Sequence, residues 1–205
     1  YQTAGSVLLN FPNHTAYKNY YRELDIEQAK ATTSYEVNGI TYTREVISSF
    51  EDDVILMRIT SSKKGALSFD LSYKNPAQHK VVAKDNMLVL EGKGGDHEGI
   101  KGEVIYNTLS SIKNIDGNVL VEDSKITVKD ATSVVIYISV GTNFVNYKSV
   151  SGDAFQRASE KLNKAKTNKF EDAVAKHAKK YNAQFSRFKL DLGSKSTTSK
   201  ISTIE

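Results

Sequence analysis

The sequence predicts a mainly β fold: a large antiparallel two-sheet β-sandwich followed by a two-helix linker. Three observations carry that prediction. Strand-like runs recur from Ser6 to Phe144, with a turn signal every ten residues or so. Only two prolines and no early amphipathic helix interrupt them. After Tyr147 the spacing of apolar residues changes from a period of two to that of a helix.

The alternation is cleanest in Gly65–Tyr73, where Leu67, Phe69, Leu71 and Tyr73 fall on one side, and it returns in Lys125–Lys129. Val134–Val140 is apolar on both sides, which places it in the middle of a sandwich. Asn38-Gly39 suits the positive φ angles of a two-residue hairpin, so Thr32–Val37 and Ile40–Phe50 pair directly. Further breaks fall at Lys63-Lys64-Gly65, Asn75-Pro76, Asp85-Asn86, Gly92–Gly95 and Asp116-Gly117-Asn118.

Asp153 reads as the N-cap of a helix running to about Ala165, with Phe155, Ala158, Leu162 and Ala165 on one face. A second helix from about Lys169 places Phe170, Val174, His177, Tyr181, Phe185 and Phe188 on one stripe. Glu171 and Asp172 in its first turn suit the helix dipole. Phe188–Gly193 reads as a short strand, and Ser194–Glu205 as a flexible tail. The expected division is a sandwich over 1–147, a helical linker over 148–193 and a tail over 194–205.

Composition narrows the function classes. The 205 residues are 39% hydrophobic and 25% charged, as in an ordinary globular domain. No run of about 18 apolar residues offers a membrane-spanning helix. The absence of Cys removes disulfides, thiolate zinc sites and cysteine nucleophiles together. The net charge of +4 hides an asymmetry. Arg157–Lys200 holds twelve basic residues against four acidic ones, while the rest holds sixteen against twenty. The helical spacing of those lysines describes a wet helix face, and no nucleic-acid recognition motif accompanies them. Neither nucleic acid nor a membrane is expected as a partner.

No catalytic, cofactor-binding or metal-binding residue emerges. His14, His79, His97 and His177 lie far apart, and no pair has the i, i+4 spacing of a helical metal site. His177 reads as a packed, hydrogen-bonded structural residue. Asp96-His97-Glu98, in a glycine-rich loop, could contact a sugar or a cation, or be an ordinary hairpin excursion. Gly92-Lys93-Gly94-Gly95 lacks the Gly-Lys-Ser/Thr end of a phosphate loop. Asp52-Asp53 and Glu122-Asp123 fall at strand ends or turns, where solvated charges are expected. Eleven Tyr and no Trp leave a sugar-binding surface open as an alternative. A protein-docking role for the basic helical end is another.

Several ordered motifs resemble the N-terminal domain of glycoside hydrolase family 95, the α-L-fucosidases. They are Tyr1–Val7, then Tyr20–Ala29 containing Arg22-Glu23-Leu24-Asp25-Ile26, then the hairpin ending in Tyr42-Thr43-Arg44-Glu45. Thr142–Tyr147 followed by Ser151-Gly152-Asp153 is similar to the family's strand-to-linker passage. His177-x-x-x-Tyr181 with Phe185–Gly193 is similar to the segment before its catalytic domain.

The resemblance implies a super-sandwich with a helical linker. The activity it implies for the parent enzyme is inverting hydrolysis of terminal α-L-fucose, in a bacterial periplasmic or secreted setting. Inversion needs an acid on the leaving oxygen and a base-activated water opposite. The family's groups for both belong to a downstream helical toroid, so no catalytic residue, cofactor or metal carries over. Members also have an earlier Trp-containing stretch with Asn-Glu-Asp-Thr-Leu-Trp, absent here. The expectation is a fragment that starts inside the sandwich and stops before the catalytic domain. Its partners would be the rest of its own enzyme, with glycans and self-association through uncovered sheet edges as further possibilities.

Overall fold

The computed structural model describes residues 3–190 and residue 193. Twelve strands precede two helices. The strands are β1 (Ser6–Asn10), β2 (Lys18–Asp25), β3 (Lys30–Val37), β4 (Ile40–Ser48), β5 (Ile55–Ser61), β6 (Leu67–Lys74), β7 (His79–Lys84), β8 (Met87–Lys93), β9 (Ile105–Asn114), β10 (Asn118–Glu122), β11 (Lys125–Ala131) and β12 (Ser133–Thr142). The helices are α1 (Ala154–Lys166) and α2 (Phe170–Phe185). They build two antiparallel sheets, β1-β6-β11-β10 and β2-β3-β4-β5-β12-β9-β8-β7. The predicted two-sheet architecture is therefore the observed one.

The Asn38-Gly39 hairpin forms as expected, with φ of 51° and 75° and Val37 paired with Ile40. Asp85 and Asn86 make the equivalent turn between β7 and β8, at φ 51° and 58°. Between the sheets lies one core, in which Leu67, Phe69 and Leu71 from β6 meet Ile126 and Val128 from β11 and Val134, Ile136 and Ile138 from β12. The opposite face of the large sheet is also covered. There Ile47, Leu56, Val89, Leu109 and Tyr137 pack against Ala158, Leu162, Ala165, Phe170 and Ala173 of the two helices. This explains why β12 is apolar on both sides: it is an interior strand of the large sheet, between the small sheet and the helices.

Asp153 caps α1 by accepting the Gln156 amide at 2.8 Å. The helical layer is tied to the sheet by charge as well as by apolar packing. Arg58 donates from Nε to Glu45 at 2.7 Å and from Nη1 to Glu171, and its guanidinium lies 4.4 Å from the Phe170 ring centroid. A backbone amide in the first helical turn holds the Glu171 carboxyl below its ordinary pKa, and the Arg58 guanidinium acts in the same direction.

Four expectations need correction. Phe188–Gly193 is not a strand over its described part. Residues 188–190 pair with no other segment among the described residues, and Phe188 and Leu190 are exposed. Alternation makes a strand only where a partner edge is in reach. Phe188 also lies beyond α2, off its stripe. Asp191 and Leu192 lie outside the described residues, as does the tail 194–205. Gly92 does not break β8 but is part of it, because Tyr106 on β9 occupies the space a side chain would need: a Cβ there would sit 2.2 Å from the Tyr106 ring.

Asp52, expected to be solvated, is buried. It accepts the Ser49 hydroxyl at 3.0 Å and the Asn168 amide at 3.4 Å. Asp53, Glu122 and Asp123 are exposed as expected.

Asp116 ties three loops together. It accepts the Thr132 amide and hydroxyl, both at 2.6 Å, while the Thr132 oxygen accepts the Gly65 amide at 2.9 Å. Those Thr132 bonds hold the Asp116 carboxyl below its usual pKa. A carboxyl whose folded pKa is depressed stabilises the fold above its unfolded pKa, near 4, and loses that contribution as pH falls through the folded value. The melting-temperature difference between the wild type and Asp116→Asn should therefore be present at pH 7. It should shrink as pH falls below about 4.

Candidate functional site

The four histidines do not converge. His79 opens β7 with its ring exposed and Nδ1 2.8 Å from Ala77 O. His177 is buried between α2 and the sheet. Its Nδ1 accepts the Phe50 amide at 3.2 Å and its Nε2 lies 3.2 Å from Ala29 O. Two backbone partners of opposite sense fix the Nε2–H tautomer, so the structural reading of this residue holds.

Asp96-His97-Glu98 forms the tip of the β8–β9 excursion. His97 and Ile100 exchange both backbone hydrogen bonds across Glu98-Gly99, whose φ values are 48° and 80°. Asp96 accepts the Gly102 amide at 2.9 Å, which uses it as a loop brace. His97 and Glu98 face each other at 3.9 Å, both exposed. Among the described residues no three His, Asp or Glu side chains gather as a metal would require. The geometry here is that of a hairpin tip.

The aromatic residues do converge, at a place sequence reasoning did not single out. The β1–β2 connection carries Phe11, His14 and Tyr17 over the open end of the large sheet, where they meet Tyr20 of β2 and Tyr35 of β3. These five line a cleft of about 320 Å³. His14 Nδ1 lies 2.9 Å from the Tyr35 hydroxyl, and its ring packs on Tyr42 at 4.4 Å and Phe11 at 5.2 Å between centroids. Burial lowers the His14 pKa, which favours the neutral ring. Burial raises the Tyr35 pKa against the opposing pull of the Arg44 guanidinium. Tyr17 and Tyr20 are 58% and 55% exposed, with 5.9 Å between their centroids. Their rings are therefore available to a ligand.

Part of this was legible. Once Asn38-Gly39 sets the register, Tyr35 faces Tyr42 across the hairpin. The contribution of Phe11 and His14, carried in from beyond β1, was not.

Residues 1–147 match the model of the glycosyl hydrolase family 65, N-terminal domain. The chain belongs to this family. As a family 65 N-terminal domain it is also similar to "Alpha-L-fucosidase 2" of Arabidopsis thaliana, at 27% identity over 230 residues, covering 96% of this chain and 27% of that protein. Among solved structures it is similar to a "Putative kojibiose phosphorylase from human microbiome". The TM-score is 0.53 at 13% identity, over 86% of this chain and 27% of the other, and this supports the fold alone. The chain thus spans about a quarter of the length of each relative. The motifs pointed to family 95, whereas the matching model is described as family 65. Both make the chain the N-terminal domain of a glycoside hydrolase.

Proposed function

We propose that this domain is the non-catalytic sandwich-and-linker portion of an inverting α-L-fucosidase of the family 95 kind. The observation that carries the reading is the 27% identity to the Arabidopsis fucosidase, sustained over 96% of this chain. The ordered motifs Arg22–Ile26, Tyr42–Glu45 and His177–Tyr181 support it independently.

In this reading the acid and the water-activating base of the inverting reaction reside on a helical catalytic domain of the parent enzyme. The sandwich serves as its buttress. Its three-layer construction suits that task, because a sheet packed on both faces resists bending.

The experiment is to express the complete parent protein and follow 2′-fucosyllactose by proton NMR. The expected result is release of fucose whose first-formed anomer is β, the inverted configuration. A parent protein that leaves the fucoside intact while phosphorolysing an α-glucosyl disaccharide would overturn the reading.

A further inference from the structure

The two faces of β2, β3 and β4 handle charge differently. On the helix-facing side every acid of these strands has a partner. Glu23 accepts from Tyr21, Asp25 from the Glu27 and Gln28 amides at 2.9 Å, Glu36 from Asn19 at 3.1 Å, and Glu45 from Lys30 at 3.3 Å and from Arg58. The side that carries Tyr20, Tyr35 and Tyr42 holds two arginines, and the same strands place no acid there. Arg22 and Arg44 both stand opposite Thr33, one on each neighbouring strand. Two strand spacings put their Cα atoms about 10 Å apart, within reach of each other's long side chains.

Neither arginine has an ion pair among the described residues. Arg44 Nε is buried with no hydrogen-bond partner. A guanidinium is always charged, and leaving a buried donor of it unmade is costly. Its contact with Phe11, 5.6 Å from Cζ to the ring centroid, supplies no acceptor. Phe11 is at the same time a wall of the aromatic cleft. One guanidinium with an unpartnered nitrogen, Arg44, therefore packs on Phe11 behind a cleft walled by half-exposed tyrosine rings, and the exposed Arg22 stands on the same face.

We propose that this cleft binds a carboxylated saccharide, with its pyranose ring stacked on Tyr17 and Tyr20 and its carboxylate on Arg44 and Arg22. The rings offer flat apolar faces to the sugar's C–H groups, and their hydroxyls offer hydrogen bonds at the rim. The planar fork of Arg44 matches a carboxylate in bidentate fashion. A volume of about 320 Å³ suits one or two sugar rings. The proposal does not depend on the fucosidase reading, since it concerns a site on this domain alone.

The test is calorimetric titration of the chain with digalacturonic acid, alongside lactose, acetate and a tetraglutamate peptide. Digalacturonic acid should bind in the millimolar range or tighter, and the other three should give flat heats. Arg44→Gln and Tyr20→Ala should each weaken uronate binding on the order of 10-fold, about 1.4 kcal/mol. Tyr20 is half exposed, so its variant keeps the fold and remains informative if Arg44→Gln does not. Four results would overturn the proposal: flat heats with the uronate, equal binding of lactose, equal binding of acetate or peptide, or unchanged affinity in a folded Tyr20→Ala.

Discussion

Phe69→Ala should cost about 3–5 kcal/mol, the largest loss expected from any single truncation in the sandwich. Phe69 is the largest fully buried side chain and sits on β6, the strand that joins β1 to β11 in the small sheet. Its ring packs 5.1 Å from that of Phe11, centroid to centroid. Truncation therefore opens a cavity between the sheets and removes the support beneath the aromatic cleft. For a chain of this size the melting temperature should fall by about 10 °C or more. Thermal unfolding followed by circular dichroism checks this, and a fall of under 3 °C would show that the site collapses without strain.

The second large effect concerns the docking of the helices. Gly141, near the end of β12, lies directly beneath the first turns of α1. A Cβ at this position would stand 2.2 Å from Ala154 O and 2.9 Å from Ala158 N. Both are backbone atoms of a helix, so no rotamer change can relieve the clash and α1 itself must move. Gly141→Ala should cost about 3 kcal/mol, the upper end of ordinary overpacking. The loss should appear in one layer. Amide exchange in α1 and α2 should accelerate, while β6 and β11 in the small sheet keep their protection. Uniform acceleration through both sheets would mean that the helical layer and the sandwich unfold as one unit.

These two residues also mark what was legible in the sequence. Phe69 was placed on one side of its strand from alternation alone, because Leu67, Phe69 and Leu71 repeat with the period of the pleat. The two-sided burial of β12 and the cap at Asp153 came from equally local signals. What escaped depended on distant partners. The need for glycine at 92 is set by Tyr106 on the neighbouring strand, and the burial of Asp52 by Asn168 in the loop between the helices. Phe188–Leu190 alternates as well as any strand here, but pairing requires an edge, and sequence period does not supply one.

The aromatic cleft shows the same limit from the functional side. Tyrosine content suggested a sugar-binding surface, yet the five residues of the cleft come from the β1–β2 connection and two strands of the large sheet. The unpaired Arg44 was visible in sequence only as part of the Tyr42-Thr43-Arg44-Glu45 motif. Its neighbour Glu45 points to the opposite face and is used by Lys30 and Arg58. That parity separates a paired acid from an unpaired base one residue away, and only the register makes it visible.

The central reading is that the sandwich and its helices form the non-catalytic N-terminal part of a fucosidase-like glycoside hydrolase. The most direct measurement is fucose release by the purified 205-residue chain, using 4-nitrophenyl α-L-fucoside and 2′-fucosyllactose, with the complete parent enzyme run in parallel. The expected result is no turnover by the chain alone and turnover by the parent. Fucose release by the chain alone that follows the protein through successive purification steps, and that is lost on thermal unfolding, would contradict it.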